Sequence, residues 1–160
     1  MFKVNKLTDY ATVVLIEIAR QTQVRSSQHL ADKTGIPAPT VAKLMKSLNR
    51  AGLVASHRGA GGGYTLGRAA IDITIADVIQ AVEGPIALTA CADTSDEHCS
   101  IEKLCPVQGK WNRVNAAVRA ALAEVTLADM AADMGAFGRM PPSLQAGLQA
   151  APAVIPVPAE

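Results

Sequence analysis

Along the first stretch of the chain, apolar side chains recur at intervals of three and four, at Tyr10, Ala11, Val14, Leu15, Ile18 and Ala19. That spacing lays them on one helical face, so Thr8 to Gln21 is predicted to be an amphipathic helix. A second, short helix is announced by Ser26 or Ser27 as N-cap. It carries Leu30 and Ala31 and stops at Gly35, which suits the left-handed position that closes a helix. The third opens near Pro39, holds Val41, Leu44, Met45 and Leu48 on one side with Lys43, Lys46 and Arg50 elsewhere, and ends before Gly52. Helix, four-residue turn, helix is the outline of a helix-turn-helix.

Two β-prone runs follow, Leu53 to Ser56 and Tyr64 to Leu66, joined by His57, Arg58, Gly59, Ala60, Gly61, Gly62 and Gly63. Four glycines in five residues make a hairpin tip, and a β-ribbon directly after a helix-turn-helix is a wing. Thr74 with Asp77 three residues on has the form of a capping box, and Ile75, Val78, Ile79 and Val82 continue it as a helix that Gly84 and Pro85 terminate. The winged unit is thus expected over 1–84.

From Ile86 to Leu104 no period holds. Pro106 then suits the first turn of a long helix, along which Val107, Trp111, Val114, Val118, Ala121, Leu122 and Val125 keep the three-and-four spacing. A second copy of the chain is the simplest cover for so long a stripe, and packing on its own winged unit is the alternative. Thr126 is expected to cap a last short helix to Met134. The Pro- and Ala-rich residues 135–160 read as a disordered tail. The fold class is therefore mainly α: a winged helix-turn-helix with a small β-hairpin wing, followed over 85–134 by a cysteine loop and a long dimerisation helix.

With 49% apolar but only 3% aromatic side chains among 160 residues, the core must be built from Ala, Leu, Val and Ile. The apolar run Ala11 to Ala19 is interrupted by Glu17 and is too short to span a bilayer, so a soluble, cytoplasmic chain with no membrane partner is expected. The glycine run lacks the Lys-Ser/Thr of a phosphate-binding loop, and no nucleophile stands with a base, so no enzymatic activity is expected.

The formal net charge is only +1, but it is unevenly spread. Between Asp32 and Asp72 there is no acidic residue, while Lys33, Lys43, Lys46, Arg50, Arg58 and Arg68 all fall there. The rest of the chain holds nine Lys/Arg against fourteen Asp/Glu. A basic segment on an otherwise acidic protein is the footprint of phosphate binding, and double-stranded DNA is the partner it suggests. Helix-turn-helix geometry offers the N-terminal part of the second helix to base edges, which makes Pro39, Thr40, Ala42, Lys43 and Lys46 the candidate reading surface. Thr40 can bond to a base or meet a thymine methyl, and Lys43 can reach guanine or phosphate. Arg58, beside Gly61, Gly62 and Tyr64 in the wing, is placed for a minor groove.

Cys91, Cys99 and Cys105 are the only cysteines, spaced C-x7-C-x5-C. In a cytosolic chain three thiols gathered in one loop point to metal or redox chemistry. Soft thiolates suit an iron-sulfur cluster, copper(I) or zinc, and spacing alone leaves these open beside a thiol switch. His98 would complete a tetrahedral zinc set, but it directly precedes Cys99, which makes shared ligation of one ion awkward.

Over roughly Lys6 to Met134 the chain resembles the winged-helix iron-sulfur transcription regulators that include IscR, NsrR and RirA. The resemblance rests on Lys6 through Ala11 (KLTDYA), Arg58 through Tyr64 (RGAGGGY), Ile79 through Gly84 (IQAVEG) and the three-cysteine loop. Cys105 through Trp111 (CPVQGKW) is similar to the subgroup that controls SUF cluster-assembly operons. The resemblance implies a homodimer on an imperfect palindrome, with an iron-sulfur cluster, 2Fe-2S or 4Fe-4S, held by Cys91, Cys99 and Cys105. Where the assembly regulator places a histidine ligand, this chain has Gln108, a poor iron ligand. Asp9 matches the position from which nitric-oxide-sensing members supply an aspartate across the dimer, so it becomes the candidate fourth ligand, with capping of the first helix as its plain structural role and His98 or solvent as competitors. A DNA-binding regulator using its cysteines for zinc or oxidation remains open, as does a cluster carrier with a vestigial winged helix.

Overall fold

A computed structural model of the chain describes residues 3–21, 23–59, 61–90, 92, 105–107 and 109–132. Cys91, His98, Cys99, Gln108, Met134 and the expected tail lie outside the described residues.

The first helix, α1, runs Lys6–Ala19, two residues earlier at each end than its apolar period suggested, because Asn5 caps it. The Asn5 side-chain oxygen accepts from the Leu7 amide at 3.0 Å, so the capping role is not Asp9's. Helix α2 (Ser27–Thr34) has Ser26 as N-cap and ends at Gly35 in the left-handed region, φ 70°. Helix α3 (Ala38–Arg50) follows, with Pro39 inside its first turn. Strands β1 (Val54–His57) and β2 (Gly63–Leu66) pair antiparallel, with Val54 opposite Leu66 and His57 opposite Gly63. After a 3-10 turn at Ala70–Asp72 comes α4 (Ile75–Glu83), opened by the Thr74 and Asp77 capping box. Mostly helical with one antiparallel hairpin, this is the expected winged-helix order.

One core joins these pieces. Val14 and Leu15 of α1, Leu30 of α2, Val41, Met45 and Leu48 of α3, and Val78 of α4 are all fully buried in it. Leu127 of the last helix, α6 (Leu127–Ala131), is buried in the same core, so the winged unit is completed by a residue from far down the chain. Helix α6 stops at Ala131, short of Met134, and the Thr126 and Asp129 capping box opens it.

The long helix, α5, spans Trp111–Glu124 and does not begin at Pro106. Gly109 sits at φ 67°, a left-handed conformation that breaks the helical path, and Lys110 N–H turns back to the Val107 carbonyl at 3.1 Å. The apolar stripe is also divided between two surroundings. Leu122 packs with Ala76, Ile79 and Ile86 against α4, whereas Val107, Trp111 and Val114 stay exposed at 43%, 41% and 45%. Buried Asn115 of α5 holds the chain leaving α4: its Nδ2 donates to the Ile86 carbonyl and its Oδ1 accepts from Leu88 N–H, both at 3.1 Å.

Candidate nucleic-acid interface

Helix α3 divides cleanly by face. Val41, Leu44, Met45 and Leu48 point into the core, which turns Pro39, Lys43, Lys46 and Arg50 outward, with Thr40 and Ala42 half-buried at the edge. The first turn has no side-chain cap; Thr40 N–H returns to the Pro37 carbonyl at 2.9 Å. Among the described residues, the acid-free segment makes one ion pair, Arg68 with Asp77 at 3.2 Å. Lys43, Lys46, Arg50 and Arg58 have no acidic partner there, so their charge is available to a ligand.

The wing tip is a tight turn in which Gly62 N–H donates to the Gly59 carbonyl at 2.9 Å. Gly61 has open space around it, so a backbone or groove wall can approach, whereas Gly62 is needed by the turn: a Cβ there would lie 2.6 Å from the His57 carbonyl oxygen. Arg58 is exposed beside them. Tyr64 is half-buried, packs against the core, and pairs through its main chain with Arg25. Its place in the structure is thus to hold the wing rather than to stand at the tip.

Sequence reasoning missed the space between wing and helix. A cleft of about 450 Å³ separates the start of α2 from the hairpin, lined chiefly by Ser26, Ser27, Ser56, His57, Arg58 and Gly59, with no acidic side chain in its wall among the described residues. His57 Nε2 lies 2.9 Å from Thr65 Oγ1 across the strands. The signal in the sequence was the pairing of a serine cap with a histidine next to the wing arginine, but only the fold brings them together.

Of the proposed metal ligands, Cys105 is a free, half-buried thiol just before the turn that leads to α5. Asp9 is exposed in the first turn of α1, and its carboxylate accepts no hydrogen bond among the described residues. The end of α1 that carries it is tied to α4: Glu83 Oε1 accepts from Asn5 N–H at 3.3 Å and from the Thr8 hydroxyl. A half-buried thiol and an unengaged carboxylate suit a metal donor set. Cys91 and Cys99 are outside the described residues, and among the described residues no three His, Cys, Asp or Glu side chains come together as a metal site.

An exposed cationic recognition helix followed by a basic-tipped hairpin defines a winged helix-turn-helix DNA-binding regulator. The Rrf2 family, described as iron-dependent transcriptional regulators, matches residues 4–133, and the chain belongs to that family. It is 34% identical over 127 residues to the HTH-type transcriptional regulator IscR of Vibrio atlanticus, which covers 78% of this chain and 72% of that protein. Among solved structures, CymR, the global cysteine regulator of B. subtilis, aligns with TM-score 0.63 and 32% identity over 82% of this chain and 97% of that one. The T. potens IscR structure aligns with TM-score 0.61 and 27% identity over 90% and 96%. These relatives are regulators of transcription and not enzymes. No helix among the described residues is long and apolar enough to cross a membrane.

Proposed function

We propose that the chain is a cytoplasmic, homodimeric repressor or activator that occupies a palindromic operator, with its hold on DNA set by an iron-sulfur cluster at Cys91, Cys99 and Cys105. The observation that carries the DNA-binding reading is the set of outward cations on α3 and the wing, Lys43, Lys46, Arg50 and Arg58, none with an acidic partner among the described residues. Pro39 and Thr40 would meet base edges with Lys43, while Lys46 would take phosphate. Arg58, with Gly61 and Gly62 giving close approach and Tyr64 supporting the hairpin, would enter the minor groove.

The cluster reading is supported by the family's iron dependence, by the resemblance of the three-cysteine loop, and by the free thiol of Cys105. Asp9 completes the ligand set from the other protomer; its exposed, unengaged carboxylate supports this, and the neutral amide of Gln108 is a poor iron ligand. The cluster supplies a redox- and iron-responsive centre, suited to control of cluster-assembly or iron, redox and nitric-oxide response genes. Anaerobic purification followed by visible absorption and iron and sulfide analysis tests this. Iron and sulfide in equal amounts support it, zinc or bare thiols in their place give the alternative regulator, and a cluster without operator binding gives the carrier.

A further inference from the structure

We infer that Gly63 and the main chain of Arg25 are positioning residues for DNA recognition: together they form a backbone clasp that holds the Arg58 loop at a set place relative to the helix-turn-helix. The clasp consists of two reciprocal hydrogen bonds. Arg25 N–H donates to the Tyr64 carbonyl at 3.1 Å, and Tyr64 N–H donates to the Arg25 carbonyl at 2.8 Å. The residue before the N-cap of α2 thereby becomes a one-residue third strand on β2. Only glycine at 63 allows this approach, because a Cβ there would stand 2.3 Å from the Arg25 carbonyl oxygen and 2.8 Å from the Ser26 nitrogen.

Neither side of the contact yields easily. Ser26 is committed to capping α2 through its hydroxyl on the His29 amide at 3.2 Å, and the Tyr64 ring packs against the core. At its base the hairpin is tied again, where Gly67 N–H donates to the Leu53 carbonyl at 2.9 Å and a Cβ at 67 would lie 2.4 Å from the Gly52 carbonyl oxygen. A free two-stranded ribbon is marginal in water. Without the side clasp, the wing would have to be ordered as DNA arrives, and that entropy would be taken from whatever Arg58 contributes.

This inference rests on the assignment of Arg58 to DNA, and a double-mutant cycle separates the two. Arg58→Ala is expected to lower operator affinity about tenfold, and Gly63→Ala by a similar factor. The double variant should bind no more weakly than either single one, because an unclasped wing no longer delivers Arg58. Arg25→Pro, which deletes the N–H and sets a ring carbon against the Tyr64 carbonyl, should likewise abolish the cost of Arg58→Ala. Arg25→Ala leaves the main chain in place, so Arg58→Ala should keep its full cost there, an outcome that general destabilisation does not produce. Multiplying losses in the Gly63→Ala and Arg25→Pro backgrounds would overturn the clasp while leaving the wing assignment standing. An Arg58→Ala protein that binds like the parent would overturn both. If Gly63→Ala does not fold, the Arg25 pair decides alone.

Discussion

Thr74 and Thr126 face each other across an antiparallel bridge, and each caps the helix that follows it. Ile75 N–H donates to the Val125 carbonyl at 2.9 Å and Leu127 N–H to the Ile73 carbonyl at 2.7 Å, so the chain returning from α5 is stitched beside the start of α4. This stitch carries Leu127 into the core and ties the long helix to the reading head.

Removing the second cap loosens that tie. Thr126→Ala is expected to cost about 1 kcal/mol of stability, read as a lowered chemical-denaturation midpoint. The Thr126 side-chain and main-chain hydrogen bonds hold the Asp129 carboxyl below its ordinary range. A depressed carboxyl contributes stability above its unfolded-state pKa and loses it as pH falls through the folded value. The gap between parent and Thr126→Ala should therefore be widest near neutrality and narrow on strong acidification, leaving the part due to the Asp129 N–H bond to the Thr126 hydroxyl. An equal gap at every pH would contradict the linkage.

The divided stripe of α5 predicts two different outcomes from similar charges. Val114→Glu places a carboxylate on the bare face and should give monomers with near-parental melting and weak DNA binding. Leu122→Glu puts a charge into the half-buried contact with Ala76, Ile79 and Ile86, and should cost about 1 to 3 kcal/mol of folding stability. Sedimentation at micromolar concentration with parallel melting curves checks both, and a monomeric parent would count against the dimer.

For DNA, Lys43→Ala at a base contact should cost about 1 to 3 kcal/mol and relax sequence preference. If Lys46 meets phosphate, Lys46→Ala should weaken operator and random duplex alike and flatten the salt slope by about one unit. Binding isotherms across salt concentration distinguish them. Unchanged binding for both would remove α3 from the interface.

The fourth ligand is tested by comparing Asp9→Ala, His98→Ala and Gln108→Ala. Asp9→Ala should keep a cluster through the cysteines, with an altered resonance Raman spectrum and a shorter lifetime in air, whereas Cys99→Ala should lose it. An unchanged Asp9→Ala protein beside an altered His98→Ala one would transfer the role to His98.

Much of this architecture was readable from local chemistry. The Thr74 capping box, the Thr126 cap, the Gly35 stop and the apolar face of α3 are all local patterns, so the chain states them directly. The cationic surface at Lys43, Lys46 and Arg58 was legible for a related reason: the absence of acids nearby in sequence persists as an absence of ion pairs to these three among the described residues.

What escaped depends on residues far apart. The apolar period ran through Val107, but a left-handed Gly109 broke the helix. The same period showed that α5 has an apolar face without saying that α4 covers Leu122 and leaves Val114 bare. The Arg25 clasp gave no alternation to read, since a single bridging residue has no period. Asn5, which caps α1, lies outside the apolar period, so the period alone sets Asp9 nearer the end of the helix than it is.

The most direct test of cluster-controlled DNA binding is operator affinity measured on a single anaerobic preparation, before and after the cluster is removed by chelation, with iron and sulfide quantified in each sample. The account predicts stoichiometric loss of iron and sulfide accompanied by at least a tenfold change in affinity, roughly 1.4 kcal/mol of coupling, with the change absent in Cys99→Ala. Equal affinity with and without a full complement of iron and sulfide would contradict it.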